Sequence, residues 1–341
     1  MSERKRILVT GASGGVGREV IKQLAEKKQY QVTAFDLPSK LAKKVLRRFS
    51  NHIDVVYGNI IQAEEVAQVV QGQDVVIHLA AVIPPLADEN PNLAEAVNVG
   101  GTRHLVDALK IYAPESFLIY SSSVSVYGDR LVDPNIRVGD PLVPSVGDEY
   151  AHTKIAAEKV IQDSDLNYSI FRLSAIMGYG THKTSGLMFH MPLETQMEIC
   201  TTHDTARAFV HALGQQEALN GRIFNLGGGK DCVIEYQEFM DRSFAISGLG
   251  KADFPERTFA KQNFHCGYYA DGDVLEEILK FRQDTTETYL HNLKAHTSPA
   301  QKTFASLFRK PIKNYLQKQS EPLHAWKTGD KALIARFFGE E

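Results

Sequence analysis

Short runs of β-branched and apolar residues alternate with stretches of helical period along the first half of the chain. Ile7, Leu8, Val9 and Thr10 predict a strand, followed by a glycine turn and a helix carrying Val16, Val20, Ile21 and Leu24. Further strands are expected at 31–36, 53–57, 74–79, 116–120 and 167–173, with helices at 40–49, 63–70 and 91–112 and another carrying Tyr150. This βα alternation predicts an α/β protein with a parallel, doubly wound sheet of Rossmann type and right-handed crossovers. There is no internal repeat and no low-complexity segment.

The first strand–helix junction carries chemistry. Gly11, Gly14 and Gly17 follow the strand at spacings of three. Gly11 permits a tight turn, Gly14 lets the backbone approach a pyrophosphate, and Gly17 allows close packing of helix on strand. The helix N-terminus then offers N–H groups and a positive dipole to phosphates. Asp36 ends the second strand, nineteen residues after Gly17. A carboxylate there accepts both hydroxyls of an adenosine ribose and repels a 2′-phosphate, so NAD is expected over NADP.

Serines at 121–123 follow the fifth strand, at the carboxyl edge where parallel sheets bind ligands. A loop rich in Pro, Gly and Asp leads to Tyr150 and Lys154, four residues apart on a helix and so on one face. A free tyrosine titrates near ~10, so proton transfer at neutral pH needs a shift of roughly 3 units, or ~4 kcal/mol. One positive charge at ~5 Å supplies roughly 3 kcal/mol at an effective dielectric of ~20. An oxidised nicotinamide ring would add a second cation.

Composition narrows the reading. The 341 residues suit one large domain or two smaller ones, and a hydrophobic fraction of 43% is enough for a sizeable core. A net charge of −3 gives no reason to expect nucleic acid or an anionic membrane as partner. Cys200, Cys232 and Cys266 fit neither a disulfide framework nor a zinc pattern, and read as reduced thiols. No apolar run reaches the length of a membrane span, and a cytoplasmic location is expected. His182, His190, His203, His211 and His265 match no ligand spacing, and no metal is expected. Phe304, Leu307, Phe308, Ile312 and Leu316 recur at roughly helical spacing near the C-terminus. They are expected to pack a lysine-rich amphipathic helix on the substrate-binding part, or to form a subunit contact or lid, with Pro311 breaking or kinking the helix.

Taken in order, these pieces resemble an extended short-chain dehydrogenase/reductase of the NAD-dependent epimerase/dehydratase family. The matching residues are 10–17, Asp36, Gly58-Asn59-Ile60, His78-Leu79-Ala80-Ala81, Asn98-Val99-Gly100-Gly101-Thr102, the serine segment, Tyr150 with Lys154, and Arg172 leading to Met177-Gly178. His203-Asp204-Thr205-Ala206 and 224–229 also have counterparts. The resemblance implies Ser123, Tyr150 and Lys154 as the catalytic set. It implies cofactor contacts from Gly11, Ser13, Gly14, Gly15, Val16, Gly17, Asp36, Asn59, Ile60, Leu79, Ala80, Ala81, Tyr150 and Lys154. Asn98 falls near the same site, as a cofactor contact or a helix feature. Residues 1–177 with 201–229 would form the NAD-binding domain. Residues 178–200 with 230–341 would form a smaller substrate-binding part with a helical extension. A homodimer is implied by resemblance alone.

The departures bear on substrate. Relatives acting on nucleotide sugars carry an Asn where Ala175 stands and an Arg where Met197 stands, and residues 180–196 are few for a nucleotide pocket. Ile83, Leu187, Met188, Phe189 and Met191 fit a less charged ligand, although Lys183 or Arg222 could meet a phosphate. The stretch 172–178 resembles the hydroxysteroid dehydrogenase and flavonoid reductase side of the family. The expected function is NAD-dependent oxidation or reduction of a hydroxyl or carbonyl on a small or apolar substrate. The alternatives are a nucleotide-sugar epimerase or dehydratase, and a non-catalytic dinucleotide sensor.

Overall fold

A computed structural model describes residues 4–179 and 185–339 of the chain. Its central sheet has seven strands: β1 (Arg6–Thr10), β2 (Gln31–Asp36), β3 (Asp54–Tyr57), β4 (Val75–His78), β5 (Phe117–Ser123), β6 (Asn167–Leu173) and β7 (Arg222–Leu226). All pair in parallel, in the order β7-β6-β5-β4-β1-β2-β3. The strand order reverses between β1 and β4, which opens a crevice at their carboxyl ends.

Alternate residues of each strand enter opposite cores, as the pleat requires. Ile7, Val9, Val75, Ile77, Phe117 and Ile119 pack with Val20, Ile21, Leu24 and Phe209. Leu8, Val76, Leu118 and Tyr120 pack on the other face with Val66, Leu105, Leu109 and Ile161. Both faces are covered by helices, so these strands read as continuous apolar runs.

The helix expected at 91–112 is interrupted. It starts as Pro91–Ala94, capped by the Asn90 side chain, widens into a π-turn over Glu95–Gly100, and resumes as Gly101–Tyr112. Asn98 lies within the wide turn and is buried; such turns are frequent at functional sites. The Tyr150 helix spans Glu149–Gln162 and is capped by Asp148, which accepts the Ala151 N–H at 2.8 Å.

A second core lies beyond β6. Strands Ala175–Met177, Gln196–Thr201 and Val233–Glu235 form a small sheet with Gln196–Thr201 in the middle. Phe189, Met197, Ile199, Phe239, Phe244, Phe259 and Tyr289 fill this core. Five helices follow: Thr286–His296, Pro299–Leu307, Arg309–Gln317, Glu321–Thr328 and Lys331–Phe338. The expected break occurs at Phe308, and Pro311 falls in the first turn of the next helix, where its missing N–H costs little. Ile312 and Leu316 pack on the second core as expected. Phe304, Leu307 and Phe308 do not; they are exposed. Helical spacing says which residues share a face, not which way that face points.

Candidate active site

The glycine turn is held by its neighbours. Gly11 has φ +64°, and a Cβ there would lie 2.7 Å from the Ala80 nitrogen. A Cβ on Gly17 would meet the Gly11 oxygen at 2.2 Å. The helix Gly15–Lys27 begins with Gly14 at its cap and no acidic residue in its first turn. Its first N–H groups therefore meet no competing carboxylate of their own turn.

A hollow of about 360 Å³ opens at the crevice, lined by Gly11, Ser13, Gly14, Asp36, Asn59, Ile60, Leu79, Ala80 and Ala81 among the residues expected from sequence. Phe35, Leu37, Val82, Leu86, Leu93 and Val97 add an apolar wall that sequence reading did not assign. Gly15, Val16 and Gly17 do not line it; they form the first turn of the helix. Asp36 accepts the Ser13 N–H at 2.7 Å and the Leu37 N–H at 2.8 Å, one on each oxygen. An apolar slot beside a carboxylate and a glycine-led helix end is a donor and acceptor set that fits an adenine dinucleotide.

Asn98 is a brace. Its Oδ1 accepts the Val82 N–H at 2.7 Å, and its Nδ2 donates to the Val82 oxygen at 3.0 Å and to Thr153 Oγ1 at 2.9 Å. It thus ties the wall of the hollow to the Tyr150 helix. His78 makes a second tie, bridging Thr10 Oγ1 at 2.7 Å and Thr102 Oγ1 at 3.0 Å.

Ser123, Tyr150 and Lys154 come together at the end of β5. The Ser123 side chain lies beside the Tyr150 phenol, and its Oγ accepts the Ser125 N–H at 3.1 Å. The buried Lys154 Nζ donates to the Ser121 oxygen at 2.7 Å and the Tyr120 hydroxyl at 3.2 Å. It lies 5.6 Å from the centre of the Tyr150 ring. Burial brings Lys154 down to about 7, opposed by the charge of Glu158. The expectation of a tyrosine lowered by Lys154 is not met by the protein's own groups. Burial, with Asp148 adding, pushes the Tyr150 phenol up, and the neighbouring Ser123 hydroxyl only partly offsets it.

Sequence reading missed Glu158. It stands four residues after Lys154, a spacing that was open to view, and is almost fully buried. It takes a two-pronged ion pair from Arg172, with Nε at 2.9 Å and Nη2 at 2.7 Å, and the Ser122 hydroxyl at 2.5 Å. Arg172 continues to the Tyr127 hydroxyl at 2.8 Å, which donates to Asn225 at 2.7 Å. A second cavity, of about 570 Å³, opens beside the start of the Tyr150 helix. Asp88, Glu89, Glu149 and Glu321 line it with His190 and Arg336, so the C-terminal helices reach this side of the molecule.

Other expectations resolve differently. Met197 and Phe189 are buried in the second core, and Ile83 is exposed. Arg222 begins β7, at the end of the sheet opposite the crevice, and donates to the Ala218 oxygen; it is not placed to meet a phosphate in the crevice. His182 and Lys183 lie outside the described residues. His190 pairs with Glu321 at 3.0 Å, His211 with the Leu279 oxygen at 2.7 Å, and His265 with Asp148 at 2.7 Å. His203, Asp204 and Asp284 approach within 4.8 Å of one another, but Arg207 contacts both His203 and Asp204. All three cysteines are buried and unpaired.

The model of the NAD dependent epimerase/dehydratase family matches residues 7–227, and the chain belongs to that family of NAD-dependent enzymes. It is 31% identical, over 62% of its length, to a 3 beta-hydroxysteroid dehydrogenase/Delta 5-->4-isomerase from Mycobacterium tuberculosis, and spans 59% of that relative. A decarboxylating sterol-4-alpha-carboxylate 3-dehydrogenase from Schizosaccharomyces pombe is 24% identical over 71% of this chain and 74% of its own. In structure, the chain is similar to the dTDP-glucose 4,6-dehydratase DesIV from Streptomyces venezuelae, with a TM-score of 0.71 and 22% identity over 85% of this chain and 96% of that one. No helix among the described residues is long and apolar enough to cross a membrane.

Proposed function

We propose that the protein is an NAD-dependent oxidoreductase acting on a hydroxyl or carbonyl group of a small or apolar substrate. The observation that carries this reading is the convergence of Ser123 and the Tyr150 phenol beside the buried Lys154, whose Nζ lies 5.6 Å from the centre of the Tyr150 ring and donates to the Ser121 oxygen at 2.7 Å. The hollow beside Gly11 and Asp36 would hold the adenosine half of NAD. Bound NAD supplies the hydride acceptor or donor and, when oxidised, a positive charge. Ser123 holds the substrate oxygen, and Tyr150 gives or takes the proton at that atom. A phenol pushed up by burial is a proton donor at neutral pH, suited to carbonyl reduction. Taking a proton from an alcohol needs positive charge beside the phenol, which Lys154 provides when protonated. A sensor would have no use for all three groups.

The apolar substrate class is supported by the likeness to a 3 beta-hydroxysteroid dehydrogenase and by the uncharged Ala175 and buried Met197. The test is an assay of the full chain with NAD and 3β-hydroxysteroids or small secondary alcohols, following reduced-nicotinamide absorbance. Net NADH formation is expected. Conversion of a substrate with no net change in that absorbance would mean an epimerase instead.

A further inference from the structure

We infer that the helices Pro299–Leu307 and Arg309–Gln317 form a docking face for an anionic lipid surface. The first of them is turned inside out. Its Ser306 side packs on the protein, where the hydroxyl donates to the Gly248 oxygen at 3.1 Å. The side turned away from that contact carries Ala300, Phe304 and Leu307, and no residue of this helix is buried. Phe304 is 59% exposed, Leu307 76% and Phe308 46%, and the two phenylalanine rings lie 4.7 Å apart. The second helix buries Leu316 and leaves Tyr315 66% exposed, flanked by exposed Lys310 and Lys318. Exposed aromatic residues at this density are uncommon on a surface that meets only water.

Charge identifies the occupant. Residues 288–320 contain six of the chain's 38 basic residues and none of its 41 acidic ones. Lys313 is paired with Asp253. Lys294, Lys302, Lys310 and Lys318 form no ion pair among the described residues. The net charge of −3 therefore conceals a strongly basic segment. Apolar rings bordered by unpaired lysines fit the boundary of a bilayer, where rings enter the acyl edge and ammonium groups meet anionic headgroups. A second copy of this chain would bring the same lysines face to face, which opposes self-association through this patch.

The test is flotation of the full chain with phosphatidylcholine vesicles, with and without about a third phosphatidylserine. Binding is expected only to the anionic vesicles and should weaken as salt is raised. Lys302→Glu with Lys310→Glu should reduce the bound fraction at least tenfold. Phe304→Ser with Leu307→Ser should do the same while leaving NAD affinity and thermal midpoint unchanged, since both side chains are exposed. Absence of binding to anionic vesicles, or binding indifferent to both double variants, would overturn the assignment. So would a concentration-dependent dimer that the Phe304 and Leu307 changes dissociate.

Discussion

Asp36 holds the glycine turn from the neighbouring strand β2: its Oδ2 accepts the Ser13 N–H at 2.7 Å. One carboxylate thus braces the glycine turn, and in the proposed reading it would also meet the adenosine ribose. Removing it should therefore loosen the turn as well as the sugar contact. For Asp36→Ala, NADH affinity is expected to fall by about 1.5–3 kcal/mol, the usual cost of losing hydrogen bonds to a charged group. Discrimination against NADPH should shrink, because the repulsive charge is gone. Parallel fluorescence titrations with NADH and NADPH measure both effects. Equal affinity of the unaltered protein for the two would remove the NAD preference.

Tyr150→Phe should lower turnover by about 10²–10⁴-fold, the range for general acid–base help, with NAD affinity nearly unchanged. Lys154→Ala should lower both, since it stands beside the phenol and braces β5 through Ser121. Steady-state rates and a cofactor titration on each variant separate these outcomes. Near-native turnover in Tyr150→Phe would sink the proposed catalytic set.

Much of this site was legible because its parts are local. The bounds of β2, β6 and the helix Ala63–Val70 match their hydrophobic runs, and the glycine spacing marks the turn without tertiary information. What escaped depends on partners distant in sequence. The π-turn at Asn98 is favoured by contacts to Val82 and Thr153, which periodicity does not encode. Glu158 shared a visible helical spacing with Lys154, yet its meaning came from Arg172, on another strand. Phe304 and Leu307 had the right period and the wrong expected direction, because the chain offers Gly248 and Ser306 for close packing on the other side.

The Glu158–Arg172 pair gives a stability prediction. Both side chains are buried, so removing one leaves the other charged without a partner. Glu158→Ala should destabilise the fold by about 3–5 kcal/mol. Glu158→Leu combined with Arg172→Met should cost less than Glu158→Ala alone. Denaturant midpoints on the variants check this; a double variant worse than the single one would contradict it.

His78 predicts a pH dependence. Burial, with Lys154 adding, brings its imidazole down to about 3. The unfolded chain binds this proton near ~6.5, so the unfolded state takes up more protons between those values. Its contribution is present above pH ~6.5 and is lost as pH falls toward about 3, on the order of 5 kcal/mol in all. His78→Gln keeps a side chain able to bridge Thr10 and Thr102 but has no proton to take up. Its stability should fall less steeply than the native protein's between pH 7 and 4. Unfolding curves that stay parallel across that range would reject the assignment.

A nucleotide sugar is not expected to bind. Its diphosphate carries about two negative charges, and burying it without charge-assisted donors is costly. Ala175 offers no hydrogen-bonding side chain, Met197 is buried in the second core, and Arg222 lies at the opposite end of the sheet. The cavity beside the Tyr150 helix presents Asp88, Glu89, Glu149 and Glu321, which would repel a diphosphate. His190 is paired with Glu321, which leaves Arg336 to offset the other three carboxylates. In a thermal-shift screen with NAD present, UDP- and dTDP-sugars should leave the midpoint where NAD alone sets it. A 3β-hydroxysteroid should raise it in a saturable way. The opposite pattern would move the substrate to the nucleotide-sugar class, and a donor for its diphosphate would then have to be found.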